Sequence, residues 1–473
     1  GTQPPKMMSK NEDKQKPSKL SVKRKGKKQK KKRISQFQKE VIENAWFNSA
    51  KGYHLTRTDN RIEPNRGFLV GLEHPLTRMG MSIRDARRLI KDIDAEIKYT
   101  RRVQFDGAFA GQCAGDIVKC GGSKWLVTSS PKLVEPVEGQ WPHLKELFET
   151  LIVNDIARHA VYSWIKTQWF AIKKKRHSSC PILILAGDAA DGKTMLMKLL
   201  TTLRGGRETN PIQAWIGDGA AWNDHLVGCE CLNIDDSVAA KSYKVRQKLA
   251  TKIKEAIFAG SATIDKRNHD SFTLSPQPVW GITIAVNATS DSIKTIPAID
   301  GDDMAGKVII IRTRKANIYL REKGDSASKE RWDTYESELP HFLYWLLNVW
   351  KLPPKLPEEC RSSRSGALIY LDPEAMTELH RSAPAGEFEE LLLTLREQDH
   401  FANQTRKPLT TAKLLGEIRN YLPNDDRIPR TTQSAGAYLG QIAKRGDGCI
   451  ECVGEKDHSK LWAFREIQKT DPF

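Results

Sequence analysis

The sequence predicts an α/β fold, and three observations predict it. A short apolar run, Ile182 to Leu185, has the character of a buried strand and leads straight into Gly187-x-x-x-x-Gly192-Lys193-Thr194, with an apolar segment at helical spacing, Met195 to Leu203, behind it. A second apolar strand, Cys231-Leu232-Asn233-Ile234, ends in two acids, Asp235 and Asp236. Two more apolar strands follow, Gly281 to Asn287 and Lys307 to Arg312.

Strand, glycine loop and helix in that order form a P-loop. The backbone N–H groups of Gly187, Asp188, Ala189, Ala190, Asp191 and Gly192 wrap a nucleotide's phosphates. The Lys193 ammonium reaches the outer two, and the Thr194 hydroxyl holds a magnesium ion. Two adjacent acids after a short strand are, in isolation, more often a turn or helix cap. Their position about 40 residues after Lys193 favours a catalytic pair, with Asp235 on the metal and Asp236 polarising the attacking water. Asn287, a polar amide at the end of a buried strand, is placed to orient that water.

The chain has 473 residues, enough for several domains, and a net charge of +18. Residues 1–33 hold 14 Lys or Arg against two acids, so +12 of that charge lies in the tail and the other 440 residues carry +6. The run from Lys23 to Arg33 has little to bury, and residues 1–34 are expected to be disordered. Three readings of this tail stay open: a solvated leash, an electrostatic arm on nucleic acid, or a nuclear-import signal. Gly1-Thr2-Gln3 lacks an initiator methionine, so a preceding domain is compatible with the sequence. The absence of an 18-residue apolar run or signal peptide argues against membrane embedding and secretion. The eight scattered cysteines suit a reducing compartment, and the one tight pair, Cys449 and Cys452, falls short of a zinc ligand set.

Residues 35–135 read as a small α+β accessory domain, with an amphipathic helix over Ser82–Lys98 and a β-meander from Ala108 to Leu133. Residues 136–179 carry aromatics at helical spacing and read as a helical collar. The nucleotide domain spans 180–350. Within it, Tyr243 to Phe258 is a basic helix, and Ala259 to Thr273 reads as a hairpin that pushes Lys266, Arg267 and His269 into open space. A proline-rich linker covers 351–366, and 367–473 form a separate module. Its helix, turn, helix and hairpin resemble a winged-helix domain, with Arg430, Thr432, Gln433, Ser434, Lys444 and Arg445 as candidate DNA contacts.

The ordered set of P-loop, strand with Asp235-Asp236, Lys254-to-Arg267 stretch and strand ending at Asn287 resembles superfamily 3 helicases, most of all the helicase part of phage- and poxvirus-type primase-helicases. The resemblance implies an AAA+ ATPase core using ATP and Mg2+. It implies a homo-hexameric ring that draws single-stranded or forked DNA through its channel during replication of a phage or other mobile element. Lys266 and His269 become DNA contacts, with Arg267 as alternate, because a strand offers phosphates at every step. Family members place an arginine near the last core strand to reach the neighbouring subunit's nucleotide. This chain offers Lys307 or Arg312 for that role, and a lysine lacks the guanidinium's forked contact. The resemblance also implies a primase or polymerase partner and the cytoplasm of a bacterial host, or a nucleus if the basic run is an import signal. Two alternatives remain: the helicase half of a primase-helicase whose priming domain lies outside this sequence, or an ATP-switched DNA-binding assembly protein that does not translocate.

Overall fold

A computed structural model of the chain describes residues 19–58, 61–120, 122–217, 222–235, 243–265, 271–287, 296–297, 304, 306–355, 360, 365–381, 383–398, 408–445 and 448–465. The chain separates into one unit of residues 1–107 and 114–129 and a second of residues 108–113 and 130–473.

The first unit starts with helix α1 (Lys19–Glu43) and continues through β1 (Ala45–Asn48), β2 (Tyr53–Thr58), β3 (Arg61–Pro64), α2 (Phe68–Gly71), α3 (Glu73–Arg78), α4 (Ile83–Thr100), β4 (Arg102–Val103), β5 (Phe105–Gly107), β6 (Ile117–Cys120) and β7 (Ser123–Val127). The strands form two small sheets, ordered β3-β2-β1-β4 and β5-β7-β6. Ser82 caps α4 by accepting the Asp85 N–H at 3.1 Å. Ile93 and Ile97, one turn apart, bury the inner face of α4 against Ala45 and Leu72, and Phe37, Val41 and Ile42 of α1 pack on the same cluster. The expected end of a disordered tail at residue 34 therefore falls inside a helix. Lysine and arginine are good helix formers, and the helix is anchored at its apolar carboxyl half.

The second unit holds α5 (Pro142–Leu151), α6 (Asp155–Lys173), β8 (Ile182–Gly187), α7 (Lys193–Leu203), β9 (Glu208–Thr209), α8 (Ile212–Ile216), β10 (Cys231–Ile234), α9 (Tyr243–Phe258), β11 (Ala262–Ile264), β12 (Phe272–Leu274), β13 (Gly281–Asn287) and β14 (Val308–Arg312). Strands β14-β8-β13-β10-β9 make one parallel sheet in that order. Its side chains divide by the two-residue period of a strand: Leu183, Leu185, Ile309 and Ile311 enter one core, and Ile182, Ile184, Val308 and Ile310 enter the other. Burial on both faces explains why these strands read as unbroken apolar runs.

The first core is closed by α5, α6 and α7 together with α10 (Ser328–Tyr344) and its continuation as a π turn over Trp345–Val349. The helices expected as a collar thus lie directly on the sheet. Glu338 of α10 fixes them there: its carboxylate accepts the Leu144 N–H at 2.7 Å and meets His143 Nδ1 at 2.6 Å, satisfying free donors at the start of α5. Helix α11 (Pro373–Arg381) contributes Ala375 and Leu379 to the second core, and Leu371 bridges to Ile310. The expected boundary at 366 is therefore crossed by chain still packed on the sheet.

A separate core begins with α12 (Pro384–Glu397) and includes β15 (Leu409–Thr410), α13 (Thr411–Tyr421), α14 (Thr432–Lys444), β16 (Ile450–Lys456) and β17 (Ser459–Phe464). Its strands are antiparallel, in the order β15-β17-β16. Cys449 is buried and Cys452 exposed; among the described residues no group of three or more His, Cys, Asp or Glu could hold a metal ion. No helix among them is long and apolar enough to cross a membrane.

Candidate nucleotide site

The loop after β8 is shaped by close packing. A β-carbon on Gly187 would lie 1.9 Å from Thr313 Oγ1 and 2.2 Å from Asp191 Oδ2, so only glycine fits. Gly192 has φ +125°, a conformation that side chains resist, and it turns the chain into α7.

Lys193 and Asp191 are both almost fully buried, at 6% and 2% exposure. The Lys193 ammonium donates to the Gly187 carbonyl at 3.0 Å, to the Asp188 carbonyl at 2.7 Å and to Asp191 Oδ1 at 3.2 Å. The same Oδ1 accepts the Lys193 N–H at 3.0 Å, and the Thr313 hydroxyl donates to Oδ2. The loop lysine thus rests on a carboxylate of its own loop. The segment after β14 grips the loop backbone as well: Ala316 N–H donates to the Asp191 carbonyl at 2.9 Å, and the Arg321 guanidinium to the Ala190 carbonyl at 3.0 Å.

The loop borders a cavity of about 930 Å³. Its wall includes Asp188 to Thr194, Asp235 at the end of β10 and Asn287 at the end of β13. Strand register brings them together: Asn287 pairs with Gly187, and β13 lies between β8 and β10. Ligands of open parallel sheets bind at these carboxyl ends. Lys315, Arg321 and Arg331 also line the cavity. Sequence reasoning missed these three. The cationic cluster Arg312 to Lys315 is visible after the last strand, whereas Arg321 and Arg331 come from a 3-10 turn and from α10 with no local signature.

The residues fit a magnesium nucleotide. Four cations, Lys193, Lys315, Arg321 and Arg331, meet at a glycine-tight loop, and Thr194 and Asp235 supply hard oxygen donors at the same cavity. Two protein oxygens suit an ion that keeps phosphate and water in its remaining positions.

Asp236, Lys266, Arg267 and His269 are outside the described residues. Lys307 precedes β14, at the opposite end of the sheet from the cavity, with its ammonium 5.3 Å from the centre of the Phe258 ring. Arg312 is at the correct end but pairs with Glu374 at 3.3 Å and Glu378 at 3.8 Å. Neither lines the cavity of its own chain. Arg430, Thr432 and Gln433 are exposed where α14 begins. Thr431, between them, is the cap of that helix, in a reciprocal box with Ser434.

No protein-family model matches the chain, and no curated protein matches it. Among solved structures it is similar to the apo C-terminal region of NrS-1, residues 305–718, with a TM-score of 0.52 and 13% identity over 89% of this chain and 95% of that one. A second apo structure of that region, in its A form, gives 0.50 and 13% over 89% and 96%. SCCmec type IV Cch, described as an active helicase, gives 0.41 and 11% over 89% and 92%, a likeness too low to carry an argument. At these identities the similarity to NrS-1 speaks for the fold alone, and the chain shares the fold of that region along most of its length.

Proposed function

We propose that this chain is an ATP-driven DNA helicase of the superfamily 3, AAA+ type, working as a homo-hexameric ring on single-stranded or forked DNA. The reading is carried by one observation: the P-loop, Asp235 and Asn287 border a single cation-rich cavity at the carboxyl ends of β8, β13 and β10. The resemblance of the ordered motifs adds the finer assignment.

In this reading ATP occupies the cavity. Lys193 leaves Asp191 for the outer phosphates, and the amides of 188–193 hold the rest. Thr194 and Asp235 would hold magnesium, which supplies neutralisation of phosphate charge. Asp236 takes the proton of the attacking water, Asn287 orients that water, and Lys315, Arg321 and Arg331 offset charge on the leaving phosphates. Lys307 or Arg312 serves the neighbouring subunit's nucleotide. The tip carrying Lys266, Arg267 and His269 tracks one DNA strand, and the C-terminal module, read as a winged helix, adds DNA contacts at Arg430, Thr432 and Gln433.

The test is phosphate release and strand displacement on a forked duplex, compared with Lys193→Ala. ATP turnover and displacement are expected in the parent and lost in the variant, with unchanged circular dichroism. Turnover without displacement would instead favour an ATP-switched assembly protein, and turnover that survives Lys193→Ala would remove this cavity from the chemistry.

A further inference from the structure

The first unit carries almost all of the chain's net charge: residues 1–107 and 114–129 sum to +16, against +18 for the whole sequence. Part of that excess is built onto a helix. Lys28, Lys31, Lys32 and Arg33 of α1 are exposed and form no ion pair among the described residues, while Lys30, also exposed, donates to the Gly80 carbonyl just ahead of α4. Residues 28 and 31, 28 and 32, and 30 and 33 stand at the three- and four-residue spacings where like charges repel. No acid occurs in α1 before Glu40 to relieve them. The helix is kept by its other end, where Phe37, Val41 and Ile42 pack on Ile93 and Ile97.

A second cationic stripe runs along the helix that α1 packs against. Arg84, Arg88 and Lys91 share one solvent face of α4 by their spacing, all exposed, whereas Asp85, Asp92 and Glu96 fall on an adjacent face. Among the described residues these three cations also form no ion pair.

We infer that the Lys28–Arg33 stretch of α1 and the Arg84–Arg88–Lys91 face of α4 each bind the phosphate backbone of duplex DNA, through contacts that do not depend on sequence. A rigid helix bearing unrelieved positive charge is stabilised by a rigid polyanion, which supplies the carboxylate-like partners that the chain withholds. From Lys28 to Arg33 the helix has no apolar side chain, so it lacks the apolar face by which amphipathic helices enter a bilayer surface. Its lysines and Arg33 form a closely spaced row of like charges, and such a row meets backbone phosphates at every step whatever the sequence. The inference rests on the DNA-motor reading only for the choice of duplex DNA as the polyanion.

The test measures binding of the full chain to a mixed-sequence DNA duplex by fluorescence anisotropy, without nucleotide, between about 50 and 200 mM salt. One variant combines Lys28→Gln, Lys31→Gln, Lys32→Gln and Arg33→Gln, and a second combines Arg84→Gln, Arg88→Gln and Lys91→Gln. Glutamine preserves helix propensity, and circular dichroism checks the helix content. Each phosphate contact contributes about 0.9 to the slope of log affinity against log salt. The first variant is expected to lower that slope by about 3 to 4 and the second by about 2 to 3. An unchanged slope in either folded variant overturns the inference, as does tighter binding to anionic vesicles or to an RNA hairpin than to the duplex. ATP turnover is measured alongside: absent turnover with an intact slope effect would sink the motor reading and leave the inference standing.

Discussion

In the proposed reading the carboxylate of Asp191 sits where a polyphosphate would come, and replacing it isolates its electrostatic effect. In Asp191→Asn the shape is kept and one negative charge is removed from a side chain that is 2% exposed and 3.2 Å from the Lys193 ammonium. A phosphate held by the same ammonium lies about 6 Å from that carboxylate; at an effective dielectric of about 20, one unit charge there is repelled by about 3 kcal/mol. Half of this, about 1.4 kcal/mol, amounts to a tenfold lower Kd for ATP. Against it stands the lost charge-assisted acceptor for the Thr313 hydroxyl, about 1 kcal/mol of folding stability, softened because that hydroxyl is also 3.3 Å from the Ala186 carbonyl. The assay is equilibrium titration of a fluorescent ATP analogue, with KM and kcat measured in parallel. Tighter binding with KM lowered is expected. A folded variant whose Kd is unchanged or weaker would refute the claim that Asp191 holds Lys193 back from phosphate.

Two further predictions concern the scaffold. Glu230 is fully buried, pairs with Arg207 and accepts the Gly111 N–H at 2.8 Å. Glu230→Ala removes the carboxylate from that buried pair and should lower unfolding stability by about 3–5 kcal/mol in urea, with a loss below about 1 kcal/mol contradicting the pairing. His159 accepts the Trp350 indole N–H on Nδ1 at 3.0 Å, and burial holds its pKa below the usual 6.5. A depressed folded value means that the unfolded chain takes up the proton first, so the stabilisation is complete above about pH 6.5 and is lost as pH falls through the folded value. The melting temperature should drop on acidification below that point, and His159→Gln should flatten the part of the slope that His54, also depressed by burial, does not supply.

What the sequence made legible follows the strength of local constraint. Strands β8, β13 and β14 announce themselves because each is covered on both faces and can hold little but apolar residues. The phosphate loop is legible because Gly187 and Gly192 are demanded by contact and by φ, respectively. Arg321 and Arg331 carry no local signature, since a 3-10 turn brings the first to the cavity and the packing of α10 the second. The place of α5 and α6 was also hidden: amphipathic periodicity says that a helix has an inner face, not which surface it covers. The same limit applies at 366, where prolines suggest a linker but Ala367 and Leu368 are fully buried against the sheet's helices.

Strand β13 enters the chain late, at Gly281, yet takes its place between β8 and β10. A polypeptide ending short of it would possess the glycine loop and Asp235 but leave them a strand's width out of register, with nothing between to set their spacing. Under the proposed reading, nucleotide affinity would therefore double as a gauge of completed assembly across some hundred residues. For the same reason, a bound triphosphate would brace strands that never meet along the sequence.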